Sequence, residues 1–321
     1  MDCPFLLSLF LYFFNVKLLF VLKTPSLHGV AKGNISTVVL PLFNGLWLYN
    51  KATCFTGGSL LNRYKHNNSH MKKVIFNADD LGFSPETNKA IIESCDKGVV
   101  RSCSLFVSLP YTEDGVKLAK EAALDVGLHL NLAVGESLTD SKSLTKGGEF
   151  HGGYKFLIRY FFGMIKMEDV EREIRAQIEK FKELGFALNH IDSHLHFHCL
   201  PKIYDIVLKL ANEYNIKKIR LPRYSSSFSL RALFVLLIGK FCKEDKRSVK
   251  TVIGLSNIMG KLKYCKKGVT ELMVHPSYDA KIYTKGYSEL GILVSGNLKE
   301  KIREKGILVI SFGDLISGED G

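Results

Sequence analysis

The chain has 321 residues, enough for one large domain or two average ones, and 46% of them are hydrophobic, which allows a sizeable core. Its 44 Lys and Arg against 32 Asp and Glu give a formal charge of +12. The excess gathers in Lys240–Lys267 without interleaved aromatics or a nucleic-acid fold signature, so that stretch reads as solvated surface and no nucleic-acid partner is expected. Seven cysteines without CxxC pairs or regular spacing argue against a disulfide framework and a thiolate zinc site, and they fit a reducing, cytoplasmic compartment.

Residues 1–70 differ from the rest. "CPFLLSLFLYFFNVKLLFVL" (Cys3 to Leu22) is almost wholly apolar and long enough to span a bilayer, but no Lys or Arg precedes it as a secretory signal would require. Residues 24–70 are rich in Ser, Asn, Gly and His with little periodicity, so 1–70 is expected to be a poorly structured extension. Either it anchors the protein to a membrane or it lies upstream of the natural start. The second is favoured, because "MKKVIFNADD" from Met71 reads as a beginning, with a start methionine, two lysines and a first buried strand.

From Met71 to about residue 317 the signals alternate. "KVIFNA" predicts a strand, followed by a helix with Ser84 as N-cap, Pro85 in its first position and Gly98 at its close. "SCSLFVS" (Ser102–Ser108) is a strand, "TEDGVKLAKEAA" a helix, and "VGLHLNL" (Val126–Leu132) a strand around His129. A polar, Gly-containing loop runs through about residue 153. Met167–Gly185 shows helical apolar spacing and ends in glycine. "ALNHIDSH" follows as a strand, then a helix from "LPKIYDIVLKLANEYN", a strand from "IKKIRLP", a strand from "TELMVHP", a helix from "SGNLKEKIREKG" and a strand from "ILVISF". Strands and helices alternating in this way indicate βαβ units and a parallel sheet. No GxGxxG or P-loop pattern follows any strand, so a nucleotide-binding sheet is not expected.

The chemistry-bearing residues sit at strand ends. Asp79, Asp80, His129, Asp192, His194 and His275 all fall at the C-terminal ends of predicted strands, which meet at one mouth in a β/α barrel. In "NHIDSHLHFH" the two-residue period puts His190, Asp192 and His194 on one face, with His196 and His198 continuing it if the strand persists. An exposed His-rich loop is the plainer reading, but the cluster lies on a buried-looking strand. Adjacent Asp79 and Asp80 would repel if both were buried and ionised, unless a cation neutralises one. One aspartate and two histidines leave positions open for water and substrate, the layout of a catalytic metal site. By softness this set suits zinc, manganese or iron better than magnesium.

"NADDLGFS", "GLHLNL", "HIDSHLHFH", "IRLPR" and "ELMVHP", in this order, resemble the YdjC-like family of carbohydrate deacetylases, over Met71 to about Leu315. The resemblance implies a TIM-barrel-like fold, a distorted (β/α) barrel, and removal of acetyl from an N-acetylated sugar or oligosaccharide with a divalent cation recorded as Mg2+. It puts the metal ligands on Asp80, His129 and His194, the base on Asp79 and an acid on His275. His190, Asp192, His196, Arg220 and Arg223 would support or line the site. The chain departs from the family pattern at Tyr224, where an acidic residue commonly follows the arginine. The mechanism implied is amide hydrolysis, with acetate and an amino sugar as products. Expected partners are the sugar and a second copy in a homodimer, with a membrane only if Cys3–Leu22 is a true anchor. Two rivals stand beside this reading, a two-metal phosphoesterase on the same fold and a glycan-binding module without catalysis.

Overall fold

The computed structural model describes residues 71–254, 257–279 and 286–317; the hydrophobic segment Cys3–Leu22 lies outside them. Seven parallel strands close into a barrel: β1 (Lys72–Leu81), β2 (Ser102–Leu105), β3 (Asp125–Leu130), β6 (His190–Ser193), β7 (Lys218–Ser225), β8 (Ser248–Ile253) and β9 (Gly268–Val274), with β9 pairing back onto β1. A small hairpin, β4 (Thr145–Lys146) and β5 (Glu149–Phe150), follows β3. A short eighth strand of the sheet, β10 (Ile307–Val309), pairs only with the first residues of β1, while β2 takes the far end of the same edge. This is a seven-stranded α/β, TIM-like barrel closed by β9 on β1, with β10 as a short additional strand.

Helices fill the crossovers as βαβ units require. They are α1 (Pro85–Asp96), α2 (Thr112–Glu121), α3 (Gly153–Phe161), α4 (Met167–Glu183), α5 (Pro201–Glu213), α6 (Leu230–Phe241), α7 (Ile258–Lys261), α8 (Gly286–Leu293), α9 (Gly296–Glu304) and α10 (Phe312–Ser317). α1 starts where the sequence says it should: the Ser84 hydroxyl accepts from the Thr87 amide at 3.2 Å, and Pro85 takes the first turn, where no N–H is needed. α4 buries Val170, Ile174, Ile178 and Phe181, the stripe its spacing predicts. No helix among the described residues is long and apolar enough to cross a membrane. The five described cysteines are free thiols.

Inside the barrel the side chains form layers. The floor is apolar, with Ile75, Val249, Phe312 and Leu315 packed together. Above it the interior turns polar, with Asn77, Ser104, His190, Arg220, Thr251 and Glu271 all fully buried. Such a core is stable only if its members satisfy one another. Ser104 Oγ donates to Asp192 Oδ2 at 2.8 Å, Asn77 Nδ2 donates to Ser104 Oγ at 2.8 Å, and Thr251 Oγ1 donates to Glu271 Oε2 at 2.5 Å.

Gly127 makes room in that layer. A Cβ there would sit 2.3 Å from the His190 ring, which is stacked on Phe312 at 3.8 Å between centroids and cannot retreat. Gly127→Ala should therefore cost ~1–3 kcal/mol as overpacking. A thermal-unfolding midpoint equal to that of the parent would mean that the His190 ring yields to the added methyl.

Candidate active site

Two adjacent aspartates on an extended strand should point to opposite faces. They do not here, because Asp80 has φ 73°, a left-handed conformation that a residue with a Cβ adopts at a cost. The register of β1 on β2 slips at this point, between Ala78 and Leu81. The twist turns both carboxylates toward the mouth. Asp79 is 2% exposed and Asp80 fully buried.

The histidine-rich stretch makes a similar break. Its strand ends at Ser193, and His194–Cys199 form tight 3-10 turns with Leu195 at φ 61° and His196 at φ 60°. His190 and Asp192 share the inward face as the two-residue period predicts, but His194 reaches the site from the turn rather than from a continuing strand. The turn is pinned by His198. Its backbone N–H donates to Ser193 Oγ at 3.0 Å, its Nδ1 lies 2.6 Å from the same hydroxyl, and its Nε2 lies 3.0 Å from the Arg220 carbonyl. A carbonyl can only accept, so Nε2 carries the proton and Nδ1 accepts from the Ser193 hydroxyl. Burial lowers the pKa of this ring to about 4, which keeps it neutral.

At the mouth Asp80 Oδ1 lies 3.1 Å from His129 Nε2 and 3.0 Å from His194 Nδ1. The three donor atoms fall within 4.8 Å of one another. Behind them Asp192 Oδ1 holds His129 Nδ1 at 2.7 Å, so the ring presents Nε2 to the site, as carboxylate-backed histidine ligands do. Burial alone would discharge His129, but the carboxylates of Asp192 and Asp80 outweigh it and raise its pKa to about 10. Burial opposes the ionised form of Asp80 too, and here His194 and His129 prevail and hold it well below the usual range. The pocket thus favours one extra positive charge at this point. A divalent cation fits the donor set: one carboxylate oxygen and two imidazole nitrogens, buried, with acids in excess around them.

A second trio, Asp79, His129 and Asp192, is also close enough to share an ion. Its carboxylates are already occupied by Arg220, which is fully buried. The guanidinium donates to Asp79 Oδ2 at 2.5 Å and Oδ1 at 2.6 Å, contacts Asp192 Oδ2 at 2.7 Å, and donates from Nε to Glu271 Oε1 at 2.9 Å. A cation among these groups would meet the guanidinium, so the Asp80 trio is the better site.

His275 follows the end of β9. Its Nε2 is 3.9 Å from both Asp79 Oδ2 and Asp80 Oδ2, and its backbone N–H donates to Glu289 Oε2 at 2.6 Å. Burial lowers its pKa, against the pull of Asp79 and Asp80. These groups floor a cleft of about 490 Å3 whose lining also includes Phe83, Leu195, His196, Ser227, Ser229 and Arg231. His196 is buried, and among the described residues its Nδ1 has no hydrogen-bond partner.

Of the residues singled out in the sequence, His190 and His198 lie beneath the mouth, on Phe312 and the Arg220 carbonyl, and Arg223 is turned away from the site. Its side chain bonds Glu244 and the Gly239 and Cys242 carbonyls at the end of α6. Glu271 escaped notice because an acid in a short strand reads as surface. A two-residue step from His275 through Met273 reaches it, and that period is the signal that could have found it. Lys261, fully buried and donating to the Met273 carbonyl, carried no such signal.

The YdjC-like protein family matches residues 73–304. A protein of Brevibacillus brevis named carbohydrate deacetylase is 37% identical over 257 residues, covering 76% of this chain and 99% of that protein. Another of that name from Vibrio parahaemolyticus is 33% identical over 255 residues, covering 76% and 97%. A crystal structure from Enterococcus faecalis V583, of a protein named for cellobiose-phosphate cleavage, superposes with a TM-score of 0.60 at 27% identity and covers 76% of this chain and 99% of that one. By family match, relatives and fold together, this chain belongs to the YdjC-like family.

Proposed function

We propose that the protein is a divalent-metal-dependent hydrolase that removes the acetyl group from an N-acetylated sugar or oligosaccharide. The observation that carries this is the convergence of the Asp80, His129 and His194 donors with Asp79 and His275 on the floor of one open cleft. The names of the relatives supply the substrate class.

Asp80 Oδ1, His129 Nε2 and His194 Nδ1 would hold the cation, which when bound supplies Lewis acidity toward the acetyl carbonyl and toward water. The chain's own groups do the rest. Asp79 keeps its orientation through two bonds from Arg220, and each carboxylate oxygen has a second lone pair, so Oδ2 can still accept a proton from attacking water. His275 Nε2, 3.9 Å away, is placed to hold the proton that the departing amine needs. Its lowered pKa makes it a ready donor once protonated. Asp192 maintains the His129 tautomer throughout.

Arg220 between the second pair of carboxylates favours one cation per chain, which speaks against the two-metal phosphoesterase. A pure binding module would not need a carboxylate beside the donor trio. The donor softness favours zinc or manganese, whereas the family resemblance favours magnesium.

The test is acetate release from a panel of N-acetylated sugars after chelation and reloading with Zn2+, Mn2+ or Mg2+, with metal content measured per chain. Asp80→Ala, His129→Ala and His194→Ala should each lose both metal and activity, by about 10²-fold or more in rate. Release of acetate by the chelated protein, or two metals per chain, would overturn the reading. A single variant retaining full occupancy would remove that residue from the trio.

A further inference from the structure

Ten large apolar side chains stand exposed among the described residues, and seven of them fall on two segments. Tyr154, Phe162 and Met164 lie on α3 and the turn after it, at 49%, 60% and 51% exposure. Phe228, Leu230, Leu233 and Phe241 lie on α6 and its approach, with Phe228 wholly exposed. Scattered apolar residues on a surface need no explanation, but a concentration of this kind does. α3 in particular buries only Phe156.

Both segments border the same part of the molecule. Phe156 stacks on Phe197 at 4.6 Å and the Gly153 backbone lies against Leu195, so α3 rests on the turn that carries His194. α6 packs against that turn as well, and Ser227, Ser229 and Arg231 at its start line the cleft. Leu195, Ser227, Ser229 and Arg231 line the cleft, so Tyr154, Phe228, Leu230 and Leu233 stand nearest the active-site mouth, while Phe162, Met164 and Phe241 lie at the far ends of the two helices.

Charge decides what could cover them. Residues 151–166 contain Lys155, Arg159 and Lys166 and no acid; residues 228–243 contain Arg231, Lys240 and Lys243 and again no acid, while Arg223 is paired with Glu244 just beyond α6. Glu244 after α6 and Asp205 near Tyr160 are the acids at hand, and Lys155, Lys166, Arg231, Lys240 and Lys243 outnumber them, so a two-fold dimer across this face would set one cationic surface against another. An anionic partner is favoured, and aromatic and aliphatic side chains interleaved with Lys and Arg are the composition that seats in a phospholipid headgroup layer.

We propose that the α3 and α6 rim is a peripheral docking surface for an anionic phospholipid bilayer, which presents the active-site mouth to the membrane surface. The proposal stands apart from the deacetylase reading, because its test does not use activity.

The full chain is floated with vesicles of phosphatidylcholine alone and with about 30% phosphatidylglycerol added. The expected result is a marked preference for the anionic vesicles, weakened by added salt. Phe162→Ser/Phe228→Ser/Leu233→Ser and, separately, Lys155→Glu/Lys240→Glu should each bind about tenfold more weakly or worse. Matching circular dichroism and unfolding midpoints check that the variants fold; should the apolar variant fail, the charge variant decides. Equal binding to both vesicle types, no binding at all, or undiminished binding by the folded variants would overturn the proposal. In the last case lipid is held elsewhere, the Cys3–Leu22 segment included. A dimer in sedimentation velocity that only the apolar variant dissociates, with vesicle binding unchanged, would also overturn it and assign the face to a second copy.

Discussion

Arg220→Met should lose about 3–5 kcal/mol of stability, the range found when one member of a buried ionic cluster is removed. The guanidinium touches Asp79, Asp192 and Glu271, and all four groups are buried. Without it three carboxylates share a buried barrel interior. Glu271 can relieve part of the cost by binding a proton, because burial, partly offset by Arg220 itself, already raises its pKa to about 7. Asp192 has less freedom: burial favours its neutral form, but Arg220 and His129 hold its pKa well below the ordinary range. At ~2–4 °C per kcal/mol for a domain of this size, the midpoint should fall by roughly 10 °C. Arg220→Lys keeps the charge but not the fork that spans three partners, and should fall between parent and Met variant. Thermal unfolding of the three proteins measures this. Equal midpoints would mean that water or a bound cation, not Arg220, neutralises the cluster.

The same cluster shows what the sequence could and could not reveal. Polar residues ending apolar runs located Asp79, Asp80, His129, Asp192 and His275, because the two-residue period and the barrel's geometry act locally. Ser84 and Pro85 announced α1 for the same reason. Asp80, Leu195 and His196 adopt left-handed conformations that only a minority of non-glycine residues take, even among Asp and His where they are commoner, so the two breaks that aim Asp80 and His194 at the mouth were invisible. The strand β8 was missed inside the basic stretch, where Lys250 faces solvent while Val249, Thr251 and Val252 are buried. α6 was missed for a different reason: an acid-free run that is apolar on most sides has no contrasting polar face to set its period. α3 is only nine residues long and opens directly after Gly152, so its start reads as the continuation of a glycine-containing loop. The joining of Arg220 to Glu271 spans 51 residues of chain, and only the closed barrel makes it.

Asp79→Asn separates the proposed base from the ligands. The Asp80, His129 and His194 donors are untouched, so metal content should stay at the parent level. The rate should not: loss of a positioned general base typically costs ~10²–10⁴-fold, and since substrate binding needs no proton transfer, kcat should fall far more than KM rises. The substitution is not silent structurally. Both Asp79 oxygens accept from Arg220, and Oδ1 also accepts from Asn77 at 2.9 Å, so the new amide nitrogen turns a donor toward donors. A stability loss of about 1–3 kcal/mol should accompany the rate loss. Kinetics are therefore to be measured well below the variant's midpoint, with occupancy determined on the same sample. A kcat near the parent's would move the base to another group, with His275 the nearest alternative at 3.9 Å. Lost metal would instead make Asp79 a ligand or the support of one, and the Asp80 trio would no longer account for the site.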